Sequence, residues 1–168
     1  MPCVRPAGPN RCRGCGADLP EPCAVAGYLP DRMPRTQRPD EEQLLCSVFG
    51  DAQPRQCILQ LSRCAALRRA LEWLDAGAGW ESHVVLEQLW RAARGAERRT
   101  TLLLSGLVHV AAAIVKGRGG HPKGAQAHAA QAIERWRQGG WDEEALELLG
   151  INLRRRRLWW RVARLDHR

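Results

Sequence analysis

Residues 102–115, "LLLSGLVHVAAAIV", form the longest apolar run in this chain of 168 residues, and how they are read decides the fold. Ser105, Gly106 and His109 interrupt the run. A bilayer span takes about 20 apolar residues, so this shorter, punctuated stretch reads as a buried core helix. On both sides of it, apolar residues recur at helical spacing. Leu44, Leu45, Val48 and Phe49 form one set. Ile58, Leu61, Ala65, Leu67, Leu71 and Leu74 form a second, which stops at the Gly77-Ala78-Gly79 turn. A helix is expected from about Trp80 to Ala93, and Gly95 ends it. The core helix then starts near Ala96 and ends at Gly117, Gly119 and Gly120. His121-Pro122 opens the next helix, with proline in the first turn where its missing N–H costs nothing. Gly139-Gly140 closes that one, and a short acidic helix spans Asp142 to Leu149. No stretch alternates convincingly like a strand. The expected fold class is all-α, a small bundle of about four to six helices with short connections.

The ends of the chain differ from its middle. Eight of the ten prolines fall in residues 1–39, mixed with Gly, Arg and Cys and without hydrophobic periodicity. That segment reads as a poorly ordered extension, followed by a helical domain over 40–153 and a basic tail over 154–168. The formal charge of +8 is uneven. The stretch 153–168 holds seven arginines against Asp166, whereas 40–152 is nearly neutral. Lys116 and Lys123 are the only lysines, so the arginine bias is as readily a matter of codon composition as of recognition. The N-terminus lacks the pattern of a secretory signal or transit peptide, which places the protein in the cytoplasm with no transmembrane segment. Seven cysteines at uneven spacing argue against a disulfide framework.

Trp80 to Trp90, "WESHVVLEQLW", carries the candidate site. On a helix, His83 and Glu87 project one turn apart on one face, and Trp90 continues that face. The pair suits two chemistries. Both side chains can hold a metal, as nitrogen and oxygen ligands at the one-turn spacing of zinc-binding helices, provided other elements add ligands. Alternatively, Glu87 orients His83 and fixes its tautomer for acid–base work. The same spacing also occurs as a plain surface pair, with Trp90 as core.

At these residues the chain resembles domain-of-unknown-function family 309, small all-helical proteins marked by HxxxExx(W/Y). His83, Glu87 and Trp90 match that hallmark. Residues 66–90, "ALRRALEWLDAGAGWESHVVLEQLW", resemble the family's first helix pair, 97–117 its long apolar helix, and "GHPKGAQAHAAQAI" the opening of the next. The resemblance covers about 63–153. It implies a metal site through His83 and Glu87 and supplies no reaction. Val84 stands where the family usually has Glu. Ser105-Gly106 followed by His109 replaces Gln-Gly with Gln three residues on, and His121 replaces Asn. His109, inside the apolar helix, needs a partner if buried. It is either a third metal ligand or a hydrogen-bond partner of Glu87 or His83. Ser105, one turn earlier, lines the same region.

Two further features lie outside the resemblance. Cys12-Arg13-Gly14-Cys15 has the geometry of a zinc knuckle that Cys3 and Cys23 could complete, although no second CxxC supports it. Cys46, Cys57 and Cys64 fall among apolar helical positions and read as core. The C-terminal "LRRRRLWWRVARLDHR" is a basic amphipathic pattern that places Arg154, Arg157, Arg161 and Arg164 on one stripe. Such a helix docks on its own bundle, lies on an anionic membrane, or binds phosphates with Trp159 or Trp160 stacking on bases.

Two functions follow as expectations. The first is a divalent-metal site, zinc favoured by the imidazoles, built from His83, Glu87 and His109 and lined by Trp90 and Ser105. If it is an enzyme, metal-dependent hydrolysis is the first class to screen. The second is a non-enzymatic scaffold whose arginine-rich helix contacts nucleic acid or an acidic partner. A homodimer fits either, since small bundles often bury a face in one.

Overall fold

The computed structural model describes residues 41–151 and, as backbone, the short strands β1 (Pro6–Gly8) and β2 (Arg11–Cys12). These two pair antiparallel. Everything else regular is helical, as expected. The α-helices are α1 (Glu41–Phe49), α2 (Pro54–Leu59), α3 (Ala65–Asp75), α4 (Gly79–Ala93), α5 (Arg98–Arg118), α6 (Pro122–Gln138) and α7 (Glu143–Leu148). That makes seven among the described residues, above the expected range.

The extra helix comes from a break in the second apolar set. The chain turns through a 3₁₀ segment, Leu61–Arg63, before α3 begins. Cys64 then caps α3, its Sγ accepting the Leu67 backbone N–H at 3.3 Å. Apolar periodicity is blind to such a cap, because Cys64 is itself buried and counts as one more apolar position. At the far end of α3, Gly77 adopts φ +76°, a conformation glycine reaches without a Cβ clash. The Ala78 N–H then bonds back to the Trp73 carbonyl at 2.8 Å and reverses the chain into α4. Ser82 of α4 donates to the Ala70 carbonyl at 2.8 Å, locking the α3–α4 hairpin.

The apolar run is the centre of the bundle. It forms part of α5, which lies between α4 and α6 and packs most extensively against both. By length and composition α5 could cross a membrane, but most of its apolar window is buried inside the protein. Leu103, Leu104, Leu107 and Ala111 are fully buried there against Val85, Leu86 and Leu89 of α4. Two glycines set the approach of the flanking helices. A Cβ on Gly79 would meet the Ala111 carbonyl and Ile114 Cγ2 at 2.9 Å, so α4 starts flush against α5. A Cβ on Gly106 would sit inside the Trp136 indole, 2.6 Å from Cδ1 and 2.7 Å from Cε2. Trp136 uses the space to donate its Nε1–H to the Leu103 carbonyl at 3.1 Å. A second indole closes this end of the bundle, Trp141 Nε1 donating to the Arg99 carbonyl at 2.7 Å.

Gly106→Ala therefore cannot be absorbed by a flexible side chain. Overpacking at such a site costs about 3 kcal/mol. We expect a melting temperature lower by roughly 6–12 °C for a domain of this size, with loss of the buried Trp136 fluorescence environment, measured by thermal denaturation at pH 7.

Candidate histidine site between α4, α5 and α6

His83 and Glu87 share one face of α4, as their spacing requires, but they do not hydrogen-bond. His83 Nδ1 and Glu87 Oε2 are 3.9 Å apart. The carboxylate instead accepts from Arg91 Nη2 at 2.7 Å, one turn further along. The expectation that Glu87 fixes the His83 tautomer is thus not met, because the arginine at i+4 takes the carboxylate. Trp90 continues the face, partly buried against the core, with the Arg94 guanidinium 5.8 Å from its ring centroid.

His109 is half-buried on α5. Its partner is neither Glu87 nor His83 but His128 of α6, with the two Nδ1 atoms 3.1 Å apart and the ring centroids at 5.3 Å. Two lone pairs cannot face each other at that distance, so one Nδ1 carries the proton or a cation lies between them. Ser105 sits one turn before His109 and is also half-buried. Sequence reasoning passed over His128, yet a signal existed. Ala125, Ala129, Ala132 and Trp136 form the buried stripe of α6, and His128 stands on its edge.

Three imidazoles from three helices thus form one electrostatic group. Burial lowers the pKa of each. The charge of His128 lowers His109 further, and that of His83 disfavours protonation of both. Glu87 and Glu41 act on His83 in the opposite sense. The rings are accordingly neutral near pH 7 and keep a lone pair available. Among the described residues, no three His, Cys, Asp or Glu side chains are already gathered as a cation cage. Cys3, Cys15 and Cys23, the side chain of Cys12, and Arg154, Arg157, Arg161 and Arg164 lie outside the described residues.

A second unforeseen group is Glu81, in the first turn of α4. It is only 2% exposed, and its Oε2 has no hydrogen-bond partner. Burial pushes its carboxyl from the ordinary 4.5 up to about 7, against the pull of its own backbone N–H and the charge of Arg118. The Arg118 guanidinium is itself bonded to the Gly77 carbonyl.

These shifts act on stability from opposite sides. Glu81 holds its proton more tightly folded than unfolded, so its contribution is complete below about pH 4.5 and is lost as pH rises through 7, on the order of 3 kcal/mol in all. The histidines bind protons less tightly folded, so their contribution is present above 6.5 and is lost as pH falls. In melting curves from pH 4 to 8, Glu81→Gln should remove the fall in stability that Glu81 causes between pH 4.5 and 7, and His128→Asn the opposing rise below 6.5. Unchanged slopes in both would contradict these assignments.

Residues 67–128 match the model of a family described as "Domain of unknown function (DUF309)". Neither a curated protein nor a solved structure matches the chain. The matched stretch runs from Leu67 in α3 to His128 in α6, and so includes all three imidazoles of the cluster. Over that stretch, the chain is similar to the DUF309 family.

Proposed function

We propose that the histidine cluster is a divalent-metal site, with zinc the best-suited ion. The observation that carries this reading is the 3.1 Å approach of His109 Nδ1 to His128 Nδ1. Two nitrogens bound to one tetrahedral zinc at about 2.0–2.1 Å are roughly 3.3 Å apart, so this pair fits one edge of such a site. Imidazoles held neutral by burial are in the protonation state a metal requires. A third donor would have to come from α4, where His83 is half-buried. Glu87 is the reserve ligand, available on release from Arg91.

The donor set is therefore nitrogen-rich, which favours zinc, copper, nickel or iron over magnesium or calcium. Bound there, zinc would act as a Lewis acid toward a substrate oxygen. This chain's own residues do the remaining work. Arg91 pairs with Glu87 one turn beyond His83. Ser105 lies one turn from His109 on the same helix.

A second reading rests on the same contact. His109 and His128 joined by a proton are an acid–base pair that needs no metal. The two readings separate by elemental analysis of the full-length protein with Cys3, Cys12, Cys15 and Cys23 changed to serine, which removes competing thiolates. The metal reading expects close to one zinc per chain after exposure and dialysis, lowered at least tenfold by His128→Ala and by His109→Ala. Zinc content near zero in the parent, or unaffected by either substitution, supports the proton-sharing pair.

A further inference from the structure

Cys57 and Cys64 meet at the corner where α2 gives way to α3. Both line one cleft of about 260 Å³, together with Gln56, Gln60 and Arg63. Cys57 lies inside α2 and is half-buried, while Cys64 is buried and caps α3 through its Sγ. The 3₁₀ turn Leu61–Arg63 folds the chain between them so that the Cys57 thiol donates toward Cys64. An isolated buried cysteine is a small hydrophobe. Two thiols in contact on an accessible cleft are also a redox couple.

We infer that Cys57 and Cys64 form a dithiol site that closes reversibly to a disulfide by exchange with a small-molecule disulfide of the glutathione class. One cysteine, as thiolate, attacks a sulfur of the oxidant and expels one of its thiols. The other cysteine then attacks the mixed disulfide and expels the second. Net, the two side chains lose two hydrogens and two electrons, and the small disulfide becomes two thiols. Closure staples α2 to the start of α3, and α2 packs on α4, the helix that carries His83. The staple therefore reports redox state to an element of the histidine site.

Burial, followed by the hydrogen bond it gives Cys64, pushes the Cys57 thiol up to about 11. Exchange is accordingly slow at pH 7, and its rate follows the thiolate fraction upward, about tenfold per unit to pH 9. The contact with Cys64 places closure at this pair rather than at Cys46, which lies in α1.

The test uses the reduced full-length protein, incubated with glutathione disulfide at stepped ratios to glutathione, acid-quenched, alkylated and cut with trypsin. Cleavage after Arg55, Arg63 and Arg68 places the two cysteines on separate peptides, 56–63 and 64–68. The proposal expects these peptides to be joined, two hydrogen masses lighter than their sum, and to separate on reduction. Cys57→Ser should instead leave a persistent glutathione adduct on Cys64. Recovery of both peptides singly alkylated, singly glutathionylated or joined to other cysteines overturns it.

Discussion

Close approach to α5 is the constraint on which the rest of the molecule depends. Gly106 leaves room for the Trp136 indole to cross the helix surface and reach the Leu103 carbonyl. Gly79 allows α4 to begin against the Ala111 backbone. With both flanking helices held at backbone distance, side chains on their inner edges meet even when they are short. That is why His128, set among alanines, reaches His109. The alanine stripe of α6 acts in the same direction, since larger residues at 125, 129 and 132 would push the helix outward.

Much of this was legible in the sequence, and its limits have physical causes. The apolar run between residues 102 and 115 identified the central helix, and the glycine and proline punctuation placed α4, α5 and α6 closely. The break before α3 was not legible, because a cysteine cap looks like one more apolar residue. The HxxxE face was found from spacing alone, yet spacing cannot say which of two neighbours a carboxylate selects. Arg91 at i+4 offers Glu87 a formal charge and two donors, whereas a half-buried neutral imidazole offers one. Glu81 reads as an ordinary acidic first-turn residue, favourable at a helix N-terminus. Only the fold reveals that this turn is buried.

The electrostatics form one pattern. Burial biases three imidazoles and one carboxyl toward their neutral forms, while Glu87 pairs with Arg91. Val84, next to His83 on α4, is buried in the core and adds no carboxylate to that face. The site is therefore richer in nitrogen than the hallmark motif alone implies, and its centre of gravity moves from the α4 pair toward the α5–α6 contact.

The most direct test of that shift is nitrogen-15 NMR of the imidazole rings in the full-length protein at pH 7, before and after one equivalent of zinc. Of the five histidines, His109 and His128 should show linked Nδ1 signals before addition, and both should move together on addition, with His83 following and the exposed His121 unchanged. Nδ1 signals of His109 and His128 that are unlinked and unmoved by zinc would contradict the account.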